Sequence, residues 1–174
     1  RILSDAGIRV GVVNVPMAGF EDVRGFIIPG FLSKMEGTPY PEDIKKRLKQ
    51  EFGFEKFIGD VEVKYLKLAR EEPDIFLNRV WEITKENAEA GLYLLENEEP
   101  EFYMQVFMGT DRIQHFFWRN VDPEHPEYEE NKYTDAVRQY YREIDRIIGR
   151  FIKLVGSDSV VFVISDHGFR ELHR

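Results

Sequence analysis

Two short clusters combine residue types and spacing that could do chemistry: Asp111-Arg-Ile-Gln-His115 and Asp166-His167. On a helix, Asp111 and His115 are four positions apart and share one face. A carboxylate and an imidazole so placed can grip a divalent ion, and zinc and manganese both suit that donor pair. Asp166 and His167 are adjacent, so in a helix or strand their side chains would diverge. In a turn beyond a strand they can converge, and Gly168 lets the backbone bend there. Two neighbouring pairs would make a two-metal clamp.

Each cluster also has a plainer reading. Asp111 could cap a helix through the first N–H groups. His115 could be a core or surface histidine beside Phe116, Phe117 and Trp118. A coincidence strengthens the metal reading while leaving the plainer one open: both pairs directly follow apolar β-rich runs, and they hold two of the chain's four histidines. Ligands of parallel sheets bind outside the carboxyl ends of the strands, where both pairs would then lie.

The elements that must position these residues follow from the apolar pattern. Val10–Val15 and Phe102–Met108 read as strands buried on both faces, because their apolarity is continuous rather than alternating. Ser159–Ile164 reads as a third. Residues 16–41, rich in glycine and proline, read as a long loop with apolar content at Phe26–Ile28 and Phe31–Leu32. A helix is predicted from Pro41, near N1, to about Gln50. Val61–Tyr65 alternates and predicts a half-exposed strand. Longer helices are expected over about Asp74–Glu96 and Tyr128–Leu154, with Asp111–Trp118 a shorter one ended by Asn120–Pro123. The second long helix would bury Tyr133, Val137, Tyr140, Tyr141, Ile144, Ile147, Ile148 and Phe151. Buried strands alternating with helices predict an α/β fold with a mostly parallel sheet.

Composition narrows the function. The chain has 174 residues, 43% hydrophobic and 14% aromatic, enough for a sizeable core. With 32 acidic and 24 basic side chains, its net charge of −8 argues against a nucleic-acid groove. It does not argue against a phosphorylated small-molecule substrate, since bound metal ions reverse the local field. No cysteine is present, which excludes thiolate chemistry and fits a cytoplasmic protein. No apolar run is long enough to span a membrane, and no signal peptide is visible. The chain does not begin with methionine and stops five residues after Phe169, so both ends read as cuts in a larger protein.

Gly109–Trp118 and Val163–Phe169 resemble the type I phosphodiesterase/nucleotide pyrophosphatase group of the alkaline phosphatase superfamily. Gly7–Met17 followed by Gly25–Phe31 is similar to the same group. The resemblance implies a three-layer αβα sandwich, here incomplete within residues 1–174, with residues 29–73 as a small cap insertion. It implies two divalent metal ions, zinc or manganese, and hydrolysis of phosphodiester, pyrophosphate or phosphomonoester bonds through a Thr or Ser nucleophile. Asp111 and His115 would hold the ion that activates water, and Asp166 and His167 the ion at the nucleophile. The chain departs from the pattern in lacking the first-strand aspartate and the nucleophile, both expected before Arg1, and a further histidine expected beyond Arg174. Thr110 lies on the wrong motif to replace the nucleophile, and His173 reads as part of the stretch leaving the second metal loop. Loss of a central strand would leave a sheet edge open to self-association. Arg112 reads as a salt-bridge partner and Asp145 as a packing or capping residue. The alternatives are a phosphate mutase or sulfatase of the same superfamily, or a non-catalytic structural or interaction module.

Overall fold

Valine and isoleucine runs punctuated by glycine and proline give the chain its strands. The computed structural model describes residues 1–18, 22–33, 38–53 and 59–170. The strands are β1 (Val10–Val15), β2 (Gly25–Pro29) and β3 (Phe102–Gln105). They form one sheet in the order β2-β1-β3, and both pairings are parallel. The helices are α1 (Ile2–Asp5), α2 (Glu42–Phe52), α3 (Val63–Glu71), α4 (Pro73–Glu98), α5 (Gly109–Val121) and α6 (Ala136–Val155). This is the expected α/β class with a parallel sheet, in keeping with an incomplete alkaline-phosphatase-like sandwich. Among the described residues, no helix is long and apolar enough to cross a membrane.

The chain divides into two compact units. Unit 1, residues 1–63 and 81–108, contains the sheet. Successive residues of β1 and β2 point to opposite faces. Val13, Phe26 and Ile28 pack with Ile44 and Leu48 of α2 and with Ala90 and Leu94 of α4. On the other face, Val10 and Ile27 pack with Val23, Leu3, Ile8 and Tyr40. Cover on both faces explains why β1 is apolar without alternation.

β1 ends in an irregularity. The register shifts between Val13 and Val15, and Asn14 adopts φ 58°. Its fully buried side chain donates from Nδ2 to the carbonyls of Gly59 and Val106, both at 2.8 Å. Oδ1 has no hydrogen-bond partner. A Cβ at Gly59 would lie 2.0 Å from that oxygen, so only glycine fits there.

Unit 2, residues 64–80 and 109–174, is helical. α5 packs on α6. Phe76 at the start of α4 is fully buried, with Phe116 and Phe117 centroids at 4.8 and 6.3 Å. Tyr133 lies 5.1 Å from Phe117. Asp74 accepts hydrogen bonds from Lys132 Nζ at 2.5 Å and the Tyr133 hydroxyl at 2.9 Å.

Several sequence expectations are corrected. Val61–Tyr65 is not a strand: α3 begins at Val63, where Val-Lys-Tyr-Leu-Lys-Leu also satisfies a helical period. Phe26–Ile28 is not loop but the middle of β2, an edge of the sheet that buries four consecutive residues, Phe26–Pro29. Pro41 is the N-cap of α2, not N1, and Gly53 closes that helix with φ 72°. β3 is shorter than expected and half-exposed, with Phe102 and Met104 turned outward. α5 begins two residues early and includes Asn120, whose side chain donates to the Glu129 carbonyl. α6 begins only at Ala136, because residues 128–131 are irregular and residues 132–135 form a turn, and Tyr141 is exposed. Ser159–Ile164 is not a buried strand. It forms no strand among the described residues, and Val160, Phe162 and Ile164 are each about 80% exposed. An apolar β-rich run specifies extended backbone, but only a neighbouring strand turns it into sheet. The expectation at His173 lies outside the described residues.

Candidate metal centre

α5 presents its chemistry through its periodicity. Ile113 and Phe117 are buried, at 0% and 2% exposure. Asp111 and His115 precede them by two residues, about 200° around the helix axis. Burying one pair therefore turns the other outward. Nε2 of His115 lies 3.2 Å from Oδ1 of Asp111. Arg112 Nη1 occupies the other oxygen, Oδ2, at 3.1 Å. Arg112 thus has the salt-bridge role expected of it.

The loop beyond α6 brings the second pair to the same carboxylate. His167 Nε2 lies 3.9 Å from Asp111 Oδ1 and 3.8 Å from Asp166 Oδ2. Nδ1 of His167 is 2.8 Å from the carbonyl of Gly168. A carbonyl only accepts, so Nδ1 carries the proton. Nε2 of the neutral ring then turns its lone pair toward two carboxylate oxygens, an arrangement that a proton or a metal ion between them relieves. In keeping with this, the His167 pKa is raised, first by the Gly168 hydrogen bond and then by the charge of Asp166, against the cost of burial, with Asp111 adding to the rise.

The residues suit a divalent ion in kind, and one pair of them also in spacing. Two ligands of one tetrahedral zinc, each about 2.0–2.1 Å from the ion, stand about 3.3 Å apart. The Asp111–His115 separation matches that value. The donors are short in number: among the described residues, no group of three or more His, Asp or Glu side chains is placed to hold an ion. Asp166 is the least settled, its side chain 90% exposed.

Aromatic residues frame the site. Phe117 joins the core, as does Phe116 through Phe76. Phe169, just past the second pair, meets the rings of His115 at 5.0 Å and Trp118 at 5.2 Å. Sequence reasoning missed Phe169. The available signal was an aromatic residue directly after a turn glycine. Asp145 lies exposed on α6.

The family model for type I phosphodiesterase / nucleotide pyrophosphatase matches residues 2–174. No curated protein and no solved structure matches the chain. The match covers the sheet, α5 with Asp111 and His115, and the loop with Asp166 and His167, so the chain belongs to the type I phosphodiesterase/nucleotide pyrophosphatase family.

Proposed function

We propose that Asp111, His115, Asp166 and His167 supply part of a two-ion site for hydrolysis of phosphodiester, pyrophosphate or phosphomonoester bonds in a small phosphorylated substrate. The observation that carries this reading is the meeting of both imidazoles at Asp111 Oδ1, at 3.2 and 3.9 Å. Membership of a phosphodiesterase and pyrophosphatase family supports the reaction class. Zinc or manganese, when bound, would neutralise phosphoryl oxygens and lower the pKa of an attacking hydroxyl or water.

The chain's own residues prepare the site. Arg112 fixes the plane of the Asp111 carboxylate by holding Oδ2, which leaves Oδ1 turned to the imidazoles. The Gly168 carbonyl fixes the His167 tautomer, so that Nε2 is the free donor atom. None of these residues is assigned as the nucleophile. The test is hydrolysis of a p-nitrophenyl phosphodiester by the full-length protein, with and without chelator, alongside Asp111→Asn and His167→Gln. Chelator should abolish turnover and both variants should lose it. Turnover that resists chelator, or survives in both variants, would sink the reading.

A further inference from the structure

We propose that Phe169 is a positioning residue of this centre: its ring holds the His115 imidazole with Nε2 on Asp111 and ties the Asp166–His167 loop to α5. The role rests on the reading of these four residues as metal ligands. Phe169 lies two residues past His167. Its ring stands nearly perpendicular to that of His115, at 87° with centroids 5.0 Å apart, and tilted 53° to Trp118 at 5.2 Å.

The surroundings give that contact its weight. From Gly156 to Arg170 every residue is exposed except Phe169. The segment carrying Asp166 and His167 therefore has one sheltered side chain, and it sits against the other ligand pair. His115 is itself 54% exposed, so beyond its Asp111 contact burial does little to restrain its side-chain torsions. An edge-to-face aromatic contact favours the held rotamer by about twofold to tenfold. Trp118, one turn beyond His115 on α5, backs the Phe169 ring and keeps it in place. A single aromatic side chain thus couples the two pairs.

The experiment uses full-length protein labelled with 13C and 15N in histidine, as wild type, Phe169→Leu and Phe169→Tyr. In metal-free protein, the His115 ring protons should show cross-relaxation to the Phe169 ring, retained in the Tyr variant and lost in the Leu variant. Zinc affinity by calorimetry should fall about tenfold in Phe169→Leu and return to within about twofold of wild type in Phe169→Tyr. Should Leu unfold α5, Phe169→Met keeps the bulk without the ring and makes the same comparison. Wild-type zinc affinity in the Leu or Met variant, or equal losses in Leu and Tyr, would overturn the proposal while leaving the ligand reading intact. Failure of the wild type to bind zinc would overturn both.

Discussion

Arg112 Nη1 and Asp111 Oδ2 lie 3.1 Å apart, and the Arg112 side chain is only 15% exposed. The planar fork of a guanidinium sets the orientation of a carboxylate, whereas an ammonium acts as a point charge. Arg112→Lys keeps the charge and removes the fork. We expect zinc affinity to fall about tenfold in that variant, the scale of other partners that orient ligands. Wild-type affinity by calorimetry would show that charge alone matters at this position.

Asp111 and Asp166 should not be equivalent. Asp111 Oδ1 faces both imidazoles, while the Asp166 side chain is 90% exposed and stands 3.8 Å from His167. Asp111→Asn should therefore weaken zinc or manganese binding at least about tenfold more than Asp166→Asn. Parallel metal titrations of the two variants check this, and equal losses would refute the shared-oxygen arrangement.

Asn14 and Gly59 form a lock within unit 1. Asn14→Ala takes its side-chain donor from two half-buried carbonyls and should destabilise by about 2–4 kcal/mol. Asn14→Gly should be milder by about 1 kcal/mol, since glycine adopts the left-handed φ without strain. Gly59→Ala should cost about 2 kcal/mol by overpacking. In the Asn14→Ala background that cost should largely vanish, because the clash is with Asn14 Oδ1. Urea unfolding of the double-mutant cycle decides, and additive effects would refute the lock.

The Asp74–Lys132–Tyr133 cluster predicts a pH window. The Lys132 and Tyr133 hydrogen bonds lower the Asp74 carboxyl below its ordinary 3.8. The Asp74 hydrogen bond raises the Lys132 ammonium above 10.5. The Asp74 contribution is full above pH 3.8 and is lost as pH falls through the lowered value. The Lys132 contribution is full below 10.5 and is lost as pH rises through the raised one. Wild type should melt above Asp74→Asn between these limits, with the difference closing as acid protonates Asp74. A difference unchanged down to pH 2 would refute the assignment. Both groups are exposed, so salt should shrink the effect.

Legibility followed the range of the interactions. β1, the long helix α4 and the Asp111–His115 face were readable because strand apolarity and the i, i+4 relation are local. The convergence of His167 on Asp111 was anticipated as a neighbouring pair, but its agents were not. The Gly168 carbonyl that sets the tautomer and the Phe169 ring on His115 depend on a loop conformation that no periodicity encodes. The Val61–Tyr65 error has a similar cause. Five alternating residues fit a strand, yet the longer window to Glu71 fits a helix, and the longer element prevailed. Ser159–Ile164 shows the opposite failure. Its composition names a strand, but strand formation depends on a partner elsewhere in sequence.

The segment Ser-Val-Val-Phe-Val-Ile carries no charge and no proline, forms no strand ladder among the described residues, and presents apolar side chains to solvent. These are the attributes of a cross-β seed, in which identical hexamers stack in register and interdigitate their valines and phenylalanines. These six residues should therefore govern fibril formation by the chain at high concentration. Val161→Lys, which puts a charge on every rung of such a stack, should delay thioflavin-positive fibrils far more than a lysine placed on the already charged surface of α6.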